Sequence, residues 1–135
     1  MKKIKLTVAV ILVLVLVSAV KAQEDLLQEA YRQLSLKEYS RAILLFEKYL
    51  AQKPGEARIY LEMAYVLVKV EDDAGALGYF LKYLEKEPGQ VQVNLEVAYL
   101  YMRQNNLEKA EEYFRAYLER RPAHLEVKAE LAYLL

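Results

Sequence analysis

Apolar side chains along residues 57–87 recur at the spacing of two short helices. In the first segment they return every three or four positions, on one face of a helix, at Tyr60, Met63, Ala64 and Leu67. The acidic run at 71–73 interrupts this pattern and supplies a helix N-cap, and a second apolar series follows at Ala76, Leu77, Phe80, Leu81 and Leu84. Pro88-Gly89 ends the second helix, because proline cannot continue a helix and glycine tolerates a positive φ. The pattern predicts two helices joined by a tight turn.

This helix pair recurs at a constant interval along the chain. Residues 57–90 align with 91–124 and with 23–56, with turns near Lys37-Glu38 and Asn105-Asn106. The residue types that keep the interval are proline, phenylalanine, alanine and tyrosine: Pro54, Pro88, Pro122; Phe46, Phe80, Phe114; Ala42, Ala76, Ala110; and Tyr31, Tyr65, Tyr99, Tyr133, each tyrosine following an alanine. A fixed period of this size indicates stacked units, because one helix pair cannot bury its apolar face alone.

The alanines and aromatic residues suggest how the pairs pack. We expect Ala64, Ala76, Ala98 and Ala110 to lie where the two helices of a pair come closest, because a larger side chain there overpacks the contact. We expect Phe80 and Phe114 to fill the space between neighbouring pairs. The second-helix tyrosines Tyr49, Tyr83 and Tyr117 are predicted to be core residues.

The N-terminus has the pattern of a secretory signal peptide. Lys2, Lys3 and Lys5 precede an apolar run over 6–20, and Val20-Lys21-Ala22 offers small residues at the positions that a signal peptidase reads. We expect a signal peptide over 1–22, cleavage after Ala22 and an exported, periplasmic protein. The alternative is an uncleaved inner-membrane anchor, for which the apolar run is short against a span of about 20 residues.

Composition narrows the class of protein further. The chain has no cysteine, so it has neither disulfides nor thiolate metal sites, and the lack suits an oxidising compartment. Four of the nineteen basic side chains are lysines within 1–22, which leaves fifteen basic against nineteen acidic side chains in the remainder. A mildly acidic body is a poor nucleic-acid binder, because affinity for phosphates needs clustered lysine and arginine.

The repeats resemble the tetratricopeptide family, whose signature is W-x2-L-G-x2-Y…A-x3-F…P over about 34 residues. The third repeat has Asn94, Val97, Ala98, Tyr101, Ala110, Phe114 and Pro122 at those positions, and the second has Tyr60, Met63, Ala64, Leu67, Ala76, Phe80 and Pro88. The first repeat has Leu26, Glu29, Ala30, Gln33, Ala42, Phe46 and Pro54, where Glu29 and Gln33 depart from the apolar pattern as suits a terminal capping repeat.

The resemblance implies an all-α fold, a right-handed α-solenoid of antiparallel helix pairs with about three and a half repeats. These are residues 23–56, 57–90, 91–124 and the partial repeat 125–135. The last helix has little stability by itself. It caps the third repeat, meets another subunit, or begins the next part of a longer array, and we favour the longer array.

The resemblance also implies a ligand groove on the first helices of the repeats. Positions two, five, nine, twelve and thirteen face it: Arg58, Leu61, Tyr65, Val68 and Lys69 in the second repeat, and Gln92, Leu95, Tyr99, Met102 and Arg103 in the third. Tyr31 and Tyr133 hold the ninth position of the first and last repeats, and the glutamates Glu62, Glu96 and Glu130 flank the tyrosines. The alternative is that these tyrosines pack between helices and contact no ligand. Glutamates at this place repel a carboxylate, so binding of a chaperone's C-terminal carboxylate is disfavoured.

Motifs for catalysis are scarce in the mature sequence. It has Ser35 and Ser40, no threonine, a single histidine at His124, and no phosphate-binding or nucleophile-elbow motif. His124 follows Pro122 in a predicted loop, where we expect a solvated side chain. The acidic group Glu108, Glu111 and Glu112 suits a helix N-terminus better than a metal site. We expect neither an enzyme nor a cofactor.

Two functions remain open at this point. The first is an exported scaffold of the bacterial cell envelope that binds a peptide or partner protein in the groove. The second is a periplasmic component of polysaccharide synthesis or export, in which a glycan stacks on Tyr65 and Tyr99. A third interpretation is the N-terminal fragment of a longer repeat protein.

Overall fold

The computed structural model describes residues 1–135 and is all-α. Its seven helices are α1 (Lys2–Ser35), α2 (Tyr39–Gln52), α3 (Ala57–Lys69), α4 (Asp73–Lys86), α5 (Val91–Arg103), α6 (Leu107–Arg120) and α7 (Leu125–Leu134). Tight turns join α1 to α2, α3 to α4 and α5 to α6, and the helices of each of these pairs pack against one another. The chain divides into two compact units, Met1–Pro54 and Gly55–Leu135, which are described separately.

The three tight turns have the same backbone conformation. Lys37, Glu71 and Asn105 hold the same position in successive repeats and adopt positive φ values of 60°, 61° and 58°. At Glu71 the amide of Asp72 donates to the Leu67 carbonyl at 2.9 Å, and the amide of Glu71 donates to the Val68 carbonyl at 3.1 Å. This is the Schellman arrangement, which satisfies carbonyls that the helix end otherwise leaves without a partner. The same two bonds close the other two turns.

These turns restrict how the two helices of a pair can face one another. None of the left-handed residues is glycine, so each repeat accepts a backbone conformation that most side chains disfavour. The next helix begins two residues after the left-handed position in every pair. The turn therefore leaves little freedom in the relative placement of the paired helices.

Side chains cap the helices that follow two of these turns. The Asp72 carboxylate accepts a hydrogen bond from the Gly75 amide at 2.9 Å, and the Asn106 side chain accepts from the Lys109 amide at 3.3 Å. The predicted cap in the acidic run at 71–73 is therefore confirmed. The expectation of a positive φ at the Pro-Gly helix end is wrong, because no glycine has a positive φ and the left-handed residues are those of the tight turns.

Alanine and phenylalanine form the core of every helix pair. In the first unit Ala30, Ala42 and Phe46 are fully buried, and in the second unit so are their counterparts Ala64, Ala76, Phe80, Ala98, Ala110 and Phe114. Full burial of these alanines agrees with the prediction that they lie where the paired helices are closest. Each phenylalanine meets the edge of a tyrosine within its own pair, at centroid distances of 5.1–5.2 Å. We predicted that phenylalanine packs between neighbouring pairs. The structure shows that its aromatic contact lies within its own pair, so this prediction describes only part of its surroundings.

The first part of α1 differs from the rest of the molecule. Its apolar side chains between Ile4 and Val20 are exposed, and its mean hydropathy of 2.4 over an 18-residue window is sufficient for a membrane span. A signal sequence can have the same length and hydropathy as a membrane span. The helix runs without interruption through Ala22 to Ser35, where it pairs with α2.

The burial of Ala98 generates a prediction about packing. Ala98→Leu adds three carbons to a side chain that has no exposed surface, so we expect a loss of more than about 1 kcal/mol in the free energy of unfolding. The measurement is chemical denaturation followed by circular dichroism. Ala132→Leu is the matched control, because Ala132 holds the same repeat position but is exposed, and its effect should stay within about 0.5 kcal/mol. Equal effects of the two substitutions would contradict the packing.

Candidate functional site

Two tyrosines form the centre of the candidate site in the second unit. Tyr65 on α3 and Tyr99 on α5 meet Phe80 and Phe114 edge to face, with interplanar angles of 87° and 85°. Tyr65 nevertheless keeps 40% of its surface exposed, and Tyr99 is half-buried. Each tyrosine ring therefore packs against a phenylalanine, as the packing interpretation expects, and part of its surface remains accessible to solvent.

The other two members of the tyrosine series have different surroundings. In the first unit Tyr31 is half-buried and meets Phe46 at 5.2 Å. Tyr133 on α7 is 87% exposed. The structure thus gives Tyr65 and Tyr99 similar aromatic contacts and leaves Tyr133 without that burial.

Burial and the charge of glutamates both affect the pKa values of the two tyrosines. Burial raises the pKa of Tyr65 above its ordinary value, and the nearby negative charge of Glu96 raises it further. Burial and then the charge of Glu130 raise the pKa of Tyr99 in the same way. Glu96 and Glu130 each belong to the repeat that follows the tyrosine, and their negative charge disfavours ionisation of the phenol.

The glutamates themselves are partly buried. Glu62, Glu96 and Glu130 all lie in half-buried positions on the first helices. Glu62 forms an ion pair with Arg58, whose Nε lies 3.7 Å from its Oε1. The three predicted glutamates therefore lie half-buried on α3, α5 and α7 and add negative charge near the tyrosines.

The predicted basic edge is less uniform. Lys69 is exposed, whereas Arg103 donates from Nε to the Asp73 carboxylate at 2.8 Å and from Nη2 to the other carboxylate oxygen. This two-point contact fixes the guanidinium between the end of α5 and the start of α4. Val68, Glu71, Asp73 and Arg103 together line an open cleft of about 480 Å³.

Asp73 is a site residue that sequence reasoning missed. The acidic run at 71–73 indicates only a helix cap, although the 30-residue separation of Asp73 from Arg103 is close to the repeat period. Residues almost one repeat apart are expected to be neighbours in stacked helix pairs. The 30-residue spacing could therefore have indicated the contact between Asp73 and Arg103.

The remaining predicted groove residues differ in accessibility. Arg58 and Gln92 are exposed, and Leu61, Val68 and Met102 are half-buried. Leu95 is only 8% exposed and belongs to the core cluster around Phe114. We therefore treat Leu95 as a residue that supports Tyr99, since its side chain offers almost no surface to a ligand.

The structure shows which of the residues expected to be core or solvated are buried. Tyr49, Tyr83 and Tyr117 are at most 8% exposed, which confirms them as core residues. His124 is half-buried, and its Nδ1 lies 2.8 Å from the Tyr117 hydroxyl, so the expectation of a solvated histidine is wrong. No group of three potential ligand side chains is close enough to hold a metal ion.

A comparison with known protein families identifies the repeats. The family model described as tetratricopeptide repeat matches residues 27–91, 61–125 and 95–135. No curated protein matches the chain significantly.

Solved structures share the fold at low sequence identity. MamA from Desulfovibrio magneticus RS-1 matches with a TM-score of 0.69 and 21% identity, over 83% of this chain and 63% of the MamA chain, so this chain spans less than two thirds of MamA. The first TPR domain of Spaghetti (RPAP3), bound to the HSP90 peptide SRMEEVD, matches with a TM-score of 0.65 and 16% identity, over 83% and 89% of the two chains. The type III secretion chaperone SycD of Yersinia enterocolitica, in complex with a peptide of the translocator YopD, matches with a TM-score of 0.67 and 14% identity. The match covers 84% of this chain and 92% of the SycD chain.

The raised tyrosine pKa values generate a prediction about alkaline pH. Below an ordinary tyrosine pKa of about 10, the folded and unfolded chains both keep their phenol protons. Above it the unfolded chain releases protons first, so the stability present at neutral pH is lost as pH rises through the folded pKa values. We expect the urea midpoint to fall as pH rises above about 10.

The control for this titration removes the two phenols. The Tyr65→Phe, Tyr99→Phe double variant keeps the rings and should lose less stability over the same pH interval. Identical losses in the variant and the wild type would show that other groups cause the alkaline decline.

Proposed function

Because the chain belongs to the tetratricopeptide-repeat family, we propose that it is a non-catalytic scaffold that binds a peptide or partner protein. The binding surface is the tyrosine face of the second unit, which we define as Arg58, Leu61, Glu62, Tyr65, Val68, Lys69, Gln92, Glu96, Tyr99, Met102 and Arg103. The observation that carries the proposal is made at Tyr65: its ring packs edge to face with Phe80, and 40% of its surface is accessible.

Fixed tyrosine rings are well suited to recognition. A ring that is already packed against Phe80 loses little conformational entropy when a ligand covers its free surface. Tyrosine also combines apolar area with a hydroxyl, and such residues contribute strongly to protein interfaces. Arg103 is oriented in advance by Asp73, which supports a directed polar contact at the end of the face.

The charges on the tyrosine face favour a particular class of peptide. Glu96 and Glu130 lie close enough to Tyr65 and Tyr99 to raise the pKa values of these tyrosines, so the face carries negative charge beside its aromatic surface. A carboxylate-rich ligand is repelled there, and an extended segment with lysine or arginine side chains is favoured. Structures of the same fold with bound peptides, SycD among them, support a peptide as the ligand class.

The N-terminal segment supports an exported location. Lys2, Lys3 and Lys5 precede the apolar part of α1, and positive charge before an apolar segment keeps that end on the cytoplasmic side. The repeats then lie on the opposite side of the membrane, in the bacterial envelope. We propose removal of residues 1–22 after export; an anchor that remains in the inner membrane is the alternative outcome of the test.

Export generates a prediction about the mature chain. The product expressed in a bacterial host should begin at Gln23, because Val20-Lys21-Ala22 offers the signal peptidase its small residues. Intact-mass spectrometry of the product from the envelope fraction measures this directly. A mass that includes Met1–Ala22 would establish α1 as a retained anchor, and a product confined to the cytoplasm would contradict export.

The tyrosine face generates a prediction about partner capture. Crosslinking in the envelope fraction should join the wild-type chain to a polypeptide, and the Tyr65→Ala variant should lose this product, because the accessible ring is removed. Purified partner should then bind wild-type chain directly and bind the variant at least about tenfold more weakly.

The matched control is Tyr113→Ala. Tyr113 is half-buried on the second helix α6 and packs against Tyr101 at 5.7 Å, so its removal also costs aromatic packing but leaves the tyrosine face intact. Both variants must first show the circular dichroism spectrum of the wild type. Capture of the same partner by all three chains would overturn the proposal, and capture of carbohydrate instead of polypeptide would favour the glycan interpretation.

A further inference from the structure

Two lysines of α4 lie over the rings of two tyrosines in the second unit. The Nζ atom of Lys82 lies 4.9 Å from the ring centroid of Tyr79 and 6.0 Å from that of Tyr60. The Nζ atom of Lys86 lies 5.6 Å from the same Tyr60 centroid. The centroids of the two rings are 6.1 Å apart, and cation–π contacts thus hold two ammonium groups close to one ring. We call Tyr60, Tyr79, Lys82 and Lys86 the lysine–tyrosine site.

The positive charge of the lysine–tyrosine site is not neutralised by the chain itself. Lys82 and Lys86 are exposed, and neither forms an ion pair, although Glu85 and Glu87 are close to them in sequence. Two like charges near one ring repel each other, and an anion between them relieves that repulsion. The site is therefore suited to a negatively charged group.

The corresponding tyrosine of the third repeat has different surroundings. Tyr113 holds the position of Tyr79 and packs against Tyr101 at 5.7 Å. Lys109 lies one helical turn before Tyr113, and its Nζ atom is 2.6 Å from the Glu112 carboxylate. In the third repeat the lysine beside the tyrosines is thus neutralised by an internal ion pair.

Two glycines occupy the positions of this ion pair in the second repeat. They are Gly75 and Gly78 of α4, a helix in which glycine is less favourable than alanine. Packing explains Gly75, because a Cβ there would lie 2.5 Å from an oxygen of the capping Asp72 carboxylate. A Cβ at Gly78 would meet nothing within 4 Å, so packing does not require glycine there. Gly78 lies one turn before Lys82, and it leaves the helix backbone beside that lysine accessible.

We propose that the lysine–tyrosine site binds a phosphate group, carried by a soluble phosphate ester or by the headgroup of an anionic phospholipid. Lys82 and Lys86 supply two positive charges and several N–H donors to a group with several acceptor oxygens. Gly78 permits close approach to the backbone, and the tyrosine rings offer apolar contact to the carbon atoms of the ester. These residues lie outside the tyrosine face, so the proposal does not depend on the proposed function.

Two sources of phosphate fit this chemistry. A soluble phosphate ester reaches an exposed site directly. An anionic phospholipid is present where the apolar part of α1 meets a bilayer, and lysine and tyrosine are typical of membrane interfaces. The two sources differ in whether the phosphate must be part of a lipid, and this difference can be tested.

The test follows the backbone amide of Gly78 by nuclear magnetic resonance. The chain has four glycines, so isotope-labelled glycine gives a spectrum with few signals. The full chain is held in uncharged maltoside micelles, and glycerol phosphate is added at constant ionic strength. The Gly78 signal should move in a saturable manner. Movement only after phosphatidylglycerol is mixed into the micelles would identify the lipid headgroup as the source.

Variants of exposed lysines test which charges bind the probe. The Lys82→Gln, Lys86→Gln double variant should keep the circular dichroism spectrum of the wild type and bind the same probe at least about tenfold more weakly. Lys48→Gln is the matched control, because Lys48 is exposed and holds the position of Lys82 in the first repeat. Leu45 stands there at the position of Tyr79, so this variant should bind the probe as the wild type does.

Three outcomes would overturn the proposal. The first is a Gly78 signal that moves with neither probe, and the second is equal affinity in the wild type and the double lysine variant. Acetate at the same ionic strength should bind at least about tenfold more weakly than the phosphate probe. Equal affinity for acetate, the third outcome, would show a general attraction of anions. Tyr65→Ala should leave phosphate binding unchanged, so this proposal and the proposed function can fail separately.

Discussion

The edge-to-face contact between tyrosine and phenylalanine is the interaction on which each helix pair depends. The phenylalanine is fully buried in every pair, and an alanine on each helix allows the two backbones to approach closely enough for the rings to meet. A larger side chain at the alanine positions separates the helices, and the aromatic contact is then lost together with the burial of the phenylalanine. This mutual dependence explains why alanine, phenylalanine and tyrosine keep the repeat period while the surface residues do not.

The same tyrosines pack against phenylalanine and also belong to the proposed binding surface. The edge of Tyr65 that meets Phe80 holds the ring in place, and the surface that remains exposed is then available without reorganisation. Glu96 adds negative charge beside the phenol and Arg103 is fixed by Asp73. The contact that packs Tyr65 therefore leaves accessible the surface that the proposed function uses.

The amino-acid sequence by itself determined the repeat, the positions of the turns and the residues of the core. Periodic alanine, phenylalanine and proline predict helix pairs. Helical spacing and close approach of helices depend on residue positions and side-chain sizes, and both are given directly by the sequence. The resemblance to the repeat family also predicted the residues of the tyrosine face and its acidic edge, through the position of each residue within the repeat. It left open whether the tyrosines pack or bind, because one ring can do both.

The tertiary structure decided the accessibility of each residue and its contacts across repeats. It buried Leu95, paired Arg103 with Asp73, joined His124 to Tyr117 and placed the left-handed conformation in the tight turns instead of at glycine. These outcomes depend on contacts between side chains that are well separated along the chain, or on the backbone geometry of a turn. The repeat pattern of the sequence specifies neither the contacts nor the dihedral angles.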